Sequence, residues 1–164
     1  MSHSSKLNPR PCPCGNGLDY GACCAPFHQY ALPAPSPEAL MRSRYSAFVL
    51  QQFAYLEATH HPDFRQGLTA EVLAQGTHPQ WLALQVLHTE QQTDTGIVIF
   101  KAWFQQQGQL DAIYEKSRFR LENGQWFYTD GEQATVTLPK RNDRCFCGSG
   151  KKFKQCCSLR LSRH

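Results

Sequence analysis

All eight cysteines of this 164-residue chain lie in two copies of one short pattern, one near each end. The first copy reads Cys12-Pro13-Cys14-Gly15-Asn16-Gly17, then Tyr20, then Cys23-Cys24. The second reads Cys145-Phe146-Cys147-Gly148-Ser149-Gly150, then Phe153, then Cys156-Cys157. Each is Cys-x-Cys, eight residues, then Cys-Cys, with glycine at the first and third spacer positions and an aromatic ring at the sixth. A segment of about a dozen residues cannot build an apolar core of its own, but four thiolates around one tetrahedral zinc ion can hold it folded. The glycines admit positive φ, so the backbone can wrap an ion and turn N–H groups toward the sulfurs. The expectation is therefore two zinc ions per chain, bound by Cys12, Cys14, Cys23 and Cys24 and by Cys145, Cys147, Cys156 and Cys157.

The competing uses of such cysteines are a disulfide framework, an iron–sulfur cluster and redox-active thiols. Residues 1–9 contain no apolar run, so no signal peptide or membrane segment is expected there, and a reducing cytosol disfavours structural disulfides. Neighbouring cysteines also bridge one another poorly. In the first copy His28 offers an alternative fourth ligand in place of Cys24. Leu161 stands at the matching place in the second copy, which favours all-cysteine coordination in both and a surface position for His28.

A chain of this length is one ordinary domain with small appendages, and an apolar content of 41% suffices for a real core. The net charge of +4 is unevenly placed. Residues 1–130 carry nine Lys and Arg against eleven acids, whereas residues 131–164 carry eight against two. Lys140, Arg141, Arg144, Lys151, Lys152, Lys154, Arg160 and Arg163 thus form a basic end that implies an acidic partner or, more simply, a solvated tail.

Residues 1–11 read as disordered and 31–37 as a proline-stiffened linker. Ser36 as N-cap with Pro37 at the first helical position opens a long helix. Met41, Tyr45, Phe48, Val49 and Leu56 recur on one face, and the helix is expected to run to His60, because Pro62 disfavours helix at His61. A shorter helix fits 69–75. The period then changes to two: 81–90, 97–106, 109–122 and 125–130 read as strands, joined by short polar links that include the hairpin signal Asn123-Gly124. The fold class is α+β: a curved antiparallel sheet packed on N-terminal helices, with a small zinc knuckle at each terminus. The boundaries are 1–32, 33–138 and 139–164.

On the third strand, alternation puts Ile113, Glu115, Ser117, Phe119 and Leu121 on the apolar face. An inward Glu115 must be paired, and Arg42 or Arg44 of the covering helix is the expected partner. This leaves two readings: a buried ion pair that fixes helix to sheet, or a general base in a pocket helped by His60, His61 or His88. His78 reads as a turn residue, and Trp81, Trp103 and Trp126 as core. No phosphate loop, nucleophile elbow or His-Glu-x-x-His helix is present.

The second cysteine segment, with Lys151, Lys152 and Lys154 between its ligands, resembles the SEC-C motif, the zinc-binding module at the end of the translocase motor SecA. The first copy departs from it at Leu18, Asp19, Gly21 and Ala22. With Leu40-Met41-Arg42-Ser43-Arg44-Tyr45-Ser46-Ala47-Phe48 between the two, the whole chain resembles the YchJ-like (UPF0225) family. The resemblance implies zinc and an NTF2-like central domain, and it carries over no catalytic residue. It also implies a SecB-like export chaperone or nascent-chain partner, docked by Arg144, Lys151, Lys152 and Lys154. The alternatives are RNA or ribosome binding, with Phe146 and Phe153 for stacking, and a small-ligand or enzymatic pocket around Glu115. The knuckles are expected to differ in attachment, the first packing on the central domain through Leu18 and Tyr20, the second moving as a tethered unit.

Overall fold

The computed structural model describes residues 10–161. Most of the segment expected to be disordered, residues 1–9, and Arg163 of the basic end lie outside the described residues. Among the described residues, no helix is long and apolar enough to cross a membrane.

The first knuckle ends in the short helix α1 (Ala25–His28), and the prolines after it lead to α2 (Pro37–Leu50). Ser36 opens α2 as its sequence promises: its hydroxyl accepts a hydrogen bond from the Ala39 N–H at 3.1 Å, and Pro37 takes the first helical position. The helix does not continue to His60. Gln51 adopts a left-handed conformation (φ 57°), the Gln52 N–H donates back to the Ala47 carbonyl at 2.8 Å, and a separate helix α3 (Phe53–Thr59) begins. Helices commonly close on such a residue, usually a glycine, and here glutamine fills the place, which hides the stop in the sequence. After the redirection Tyr55 and Leu56 lie in the core. His61 is extended ahead of Pro62, and α4 (Ala70–Gln75) starts on a Thr69 cap.

The four strands β1 (Gln80–Gln91), β2 (Thr95–Gln106), β3 (Gln109–Glu122) and β4 (Gln125–Gln133) pair antiparallel in sequence order. The links Gln107-Gly108 and Asn123-Gly124 hold left-handed pairs (φ 51° and 76° in each), the conformation a two-residue hairpin needs. Register shifts at Trp81/Ala83, Val86/His88 and Arg118/Phe119 mark places where strands bend.

One face of the sheet receives α2 and α3. Leu40, Met41, Tyr45 and Leu56 of the helices pack with Val98, Phe100, Phe119 and Trp126 of the strands. Gly96 is required at this junction, since a Cβ there would overlap the Pro37 ring. The opposite face is also covered at one place. Trp103 points outward, only 3% exposed, and its ring stacks on Phe146 with centroids 4.6 Å apart and planes within 13°. Leu82, Ala83, Leu110, Ala112, Val136 and Phe153 complete this second cluster with Cys145 and Cys157. The C-terminal knuckle is thus docked on the sheet, contrary to the expectation of a tethered unit. The determining ring is Phe146, which sits between two cysteines and offered no periodic pattern to read.

Candidate metal centres and the central cavity

The two knuckles are built alike. Each opens with an isolated antiparallel bridge, Pro11 with Asp19 and Arg144 with Lys152. The Tyr20 N–H donates to Arg10 O at 2.8 Å, and its counterpart Phe153 N–H donates to Asp143 O at 2.7 Å. Gly15, Gly17, Gly148 and Gly150 all take positive φ, between 75° and 83°, which turns the chain around the sulfurs. A single 3-10 turn follows, Tyr20–Ala22 in one and Phe153–Gln155 in the other, and brings the adjacent cysteines up to face the first pair.

Within each knuckle the four Sγ atoms lie within 4.8 Å of one another. The Cys14–Cys23 and Cys147–Cys156 sulfurs are 3.5 Å apart and those of Cys23 and Cys24 3.9 Å. A tetrahedral ion with metal–sulfur bonds of about 2.3 Å sets its ligands about 3.8 Å from each other, so both groups fit one such ion. All eight cysteines are free thiols rather than disulfides. The protons are unevenly held: a hydrogen bond with Cys24 keeps Cys14 down at about 5, while Cys24 is pushed up by that same bond and by burial. In the second group burial raises Cys157; burial opposes ionisation of Cys147 too, but hydrogen bonds with Ser149, Cys156 and Cys145 together outweigh it and bring that thiol down to about 6. A divalent cation favours the thiolate at all four positions and releases the remaining protons.

The first knuckle is bolted to α2. Cys12 Sγ and Ser46 Oγ are 3.3 Å apart, and Arg42 Nη1 donates to Cys14 O at 3.0 Å. His28 is buried, not on the surface, and is no metal ligand. Its Nε2–H donates to the Ser43 carbonyl at 2.8 Å, which leaves Nδ1 to accept from the Tyr20 hydroxyl at 2.7 Å. Burial lowers its pKa. Tyr20 therefore anchors the knuckle through His28, while Leu18, expected to pack, is exposed.

The basic residues of the second knuckle face solvent. Arg144, Lys151 and Lys152 are exposed and Lys154 half-exposed, and none has an acidic partner within salt-bridge distance among the described residues. Phe146 is buried against Trp103, and Phe153 is half-buried in the same cluster.

Between the helices and the sheet lies a cavity of about 300 Å³. Met41, Phe48, Trp81 and Phe100 supply apolar wall, and Arg44, Glu115, Ser117, Tyr128 and His60 supply polar groups. The expected ion pair is not formed. Arg42 lies elsewhere, its Nε on Glu38 at 3.1 Å and its Nη1 on the first knuckle. Arg44 does reach the cavity, but its Nη1 donates to Leu56 O at 2.9 Å and Thr59 Oγ1 at 2.6 Å, and its guanidinium lies 4.8 Å over the Tyr128 ring. Burial pulls its pKa down to about 10, still well above neutrality. Glu115 Oε1 instead accepts from Ser117 and Tyr128 hydroxyls, both at 2.8 Å. Gly131 makes room for this carboxylate, since a Cβ there would collide with it.

Of the three histidines considered for the pocket, only His60 lines it, with Nε2–H donating to Thr129 O at 3.1 Å and its pKa lowered by burial and by Arg44. His61 Nε2 lies 2.9 Å from Glu122, and His88 is paired with Glu90 on the surface. His78 stacks on Phe53, centroids 5.2 Å apart.

Comparison with known proteins bears on both parts. Residues 36–131 match the family described as "YchJ, middle NTF2-like domain", and residues 141–159 match the SEC-C motif. The SEC-C match covers the second cysteine group only; the first shares its hydrogen-bonding plan. A UPF0225 protein of Shewanella sp. strain MR-7 is 51% identical over 92% of this chain and 98% of its own length. The solution structure of a SEC-C motif containing protein from Rhodopseudomonas palustris superposes with a TM-score of 0.71 at 35% identity, covering 77% of this chain and all of that one. The crystal structure of a SEC-C motif containing protein from Psychrobacter arcticus gives 0.65 at 29% identity over 93% of this chain and 97% of its own.

Proposed function

This chain belongs to the UPF0225 family, with a YchJ-type NTF2-like domain at its centre, and on that footing we propose that it is a zinc-dependent adaptor without catalysis. Each cysteine group holds one zinc ion, and the first group is a second, divergent SEC-C knuckle. The C-terminal knuckle docks an acidic protein surface through Arg144, Lys151, Lys152 and Lys154, and the partner is a SecB-like export chaperone or other nascent-chain machinery in a reducing cytosol. Zinc here does structural work: it fixes the loop that carries the lysines, which lowers the ordering entropy lost when they bind.

The observation that carries this reading is the division of the knuckle into two faces. Its ring Phe146 is turned inward onto Trp103, while its cations stand outward with no acidic partner within salt-bridge distance among the described residues. RNA binding by small modules relies on exposed aromatic rings for base stacking, and Phe146 is not free to stack. Cations without rings suit an acidic protein face better than a single strand.

The test measures binding of the full-length, zinc-loaded chain to a purified acidic export chaperone and to a single-stranded RNA. Reversal of Lys151, Lys152 and Lys154 to Glu is expected to remove chaperone binding while zinc content and melting temperature hold, and salt is expected to weaken the wild-type complex. Chaperone binding that survives both changes, or tight RNA binding with a log–log salt slope near −0.7 per phosphate, contradicts the proposal.

A further inference from the structure

The cavity of the central domain has a polar end that the adaptor function does not use. Arg44 carries five N–H donors on a planar fork. Nη1 uses its two hydrogens on Leu56 O and Thr59 Oγ1. Nε and Nη2 have no hydrogen-bond partner among the described residues, and no carboxylate lies within salt-bridge distance of the guanidinium. Arg44 is buried, and it lines the cavity. The Nε–Nη2 edge is the edge that grips a carboxylate with two parallel hydrogen bonds.

The rest of the cavity is apolar and aromatic. Phe48, Trp81 and Phe100 stand among its walls with Met41, Leu68 and Ile113, and its volume of about 300 Å³ suits a single-ring molecule. Glu115 stands at the polar end and has its Oε1 tied by Ser117 and Tyr128. Arg44 is the one arginine or lysine among the residues that line the cavity, which matches a ligand with a single carboxylate. We propose that this cavity binds a small aromatic monocarboxylic acid, its carboxylate on the Nε–Nη2 edge of Arg44 and its ring between the aromatic walls. The cavity belongs to the sheet and its covering helices, and none of the eight cysteines lines it.

The test titrates the full-length protein with phenylacetate, with its uncharged amide and with the dianion phenylsuccinate, followed by amide NMR shifts. Phenylacetate is expected to bind saturably, with shifts concentrated at Arg44, Phe100 and Ile113. The amide and the dianion are each expected to bind at least tenfold more weakly. Arg44→Lys keeps the charge but loses the fork, and at least a tenfold loss of phenylacetate affinity is expected. Because Arg44 is buried and that variant can fail to fold, Ala102→Leu provides the second arm: it fills the cavity from the β2 wall and leaves Arg44 intact. Ala102→Leu is expected to abolish binding while the protein still melts cooperatively. No saturable binding of phenylacetate, equal affinity for acid and amide, or undiminished binding in Ala102→Leu overturns the proposal.

Discussion

Phe146→Ala isolates the contact that decides how the second knuckle is carried. The ring is 4% exposed and stacks on Trp103, while its neighbours Cys145 and Cys147 keep their thiols whatever stands between them. Burying a phenylalanine side chain is worth about 1.5–3 kcal/mol, and an offset aromatic pair adds about 0.5–1.5 kcal/mol. Docking should therefore weaken by about 3 kcal/mol, which raises the undocked-to-docked ratio by roughly two orders of magnitude. The knuckle itself should survive, because four ligands and its internal hydrogen bonds remain. Backbone ¹⁵N relaxation reads this directly. In the wild type, residues 145–157 should tumble with the sheet; in the variant they should tumble faster than it. The Trp103 indole N–H, bonded to Gln85 Oε1 at 2.8 Å, should exchange faster with solvent. Zinc content should not change. A knuckle that already tumbles independently in the wild type, or relaxation unaltered by the substitution, refutes the docking.

The pH dependence has a definite sign. His28 and His60 are held neutral, their pKa values lowered from 6.5 by burial, so the unfolded chain binds protons that the native chain refuses. Their contribution is complete above about 6.5 and is lost as pH falls below it; thermal melts from about pH 8 to about pH 5.5 should show a shallower decline in His28→Gln/His60→Gln than in the wild type. Glu115→Gln should cost about 1 kcal/mol or less, because an amide oxygen can still accept from Ser117 and Tyr128 and no ion pair is broken; a loss of about 3 kcal/mol or more in a urea melt would restore the buried pair. Gly131→Ala should cost more than Glu115→Gln in the same melt, since its Cβ displaces the Glu115 side chain, and the double variant Gly131→Ala/Glu115→Ala should recover part of that loss.

Much of this architecture was legible in local chemistry. Ser36-Pro37 marks the start of α2, Asn123-Gly124 a hairpin, and the change of period after Gln80 the sheet. The sulfur groups follow from spacing alone. What escaped depends on contacts between distant residues or on unusual backbone. The break at Gln51-Gln52 uses a left-handed glutamine where a glycine would have announced it. His28 is a bolt because Ser43 and Tyr20 converge on its two nitrogens, and the docked knuckle depends on Trp103 meeting a ring 43 residues later. The choice between Arg42 and Arg44 turns on helix geometry: residues two apart point to nearly opposite sides, so only one of them can face Glu115. Arg42 went to the knuckle and Arg44 to the cavity.

Native mass spectrometry of the full-length chain, purified without added metal, decides whether both cysteine groups hold zinc. Two zinc ions per chain are expected, each bound with loss of protons from its thiols, and their removal by a chelator should unfold the knuckles. A chain free of zinc with its thiols oxidised in pairs, or one that holds another metal or a single ion, would contradict this expectation.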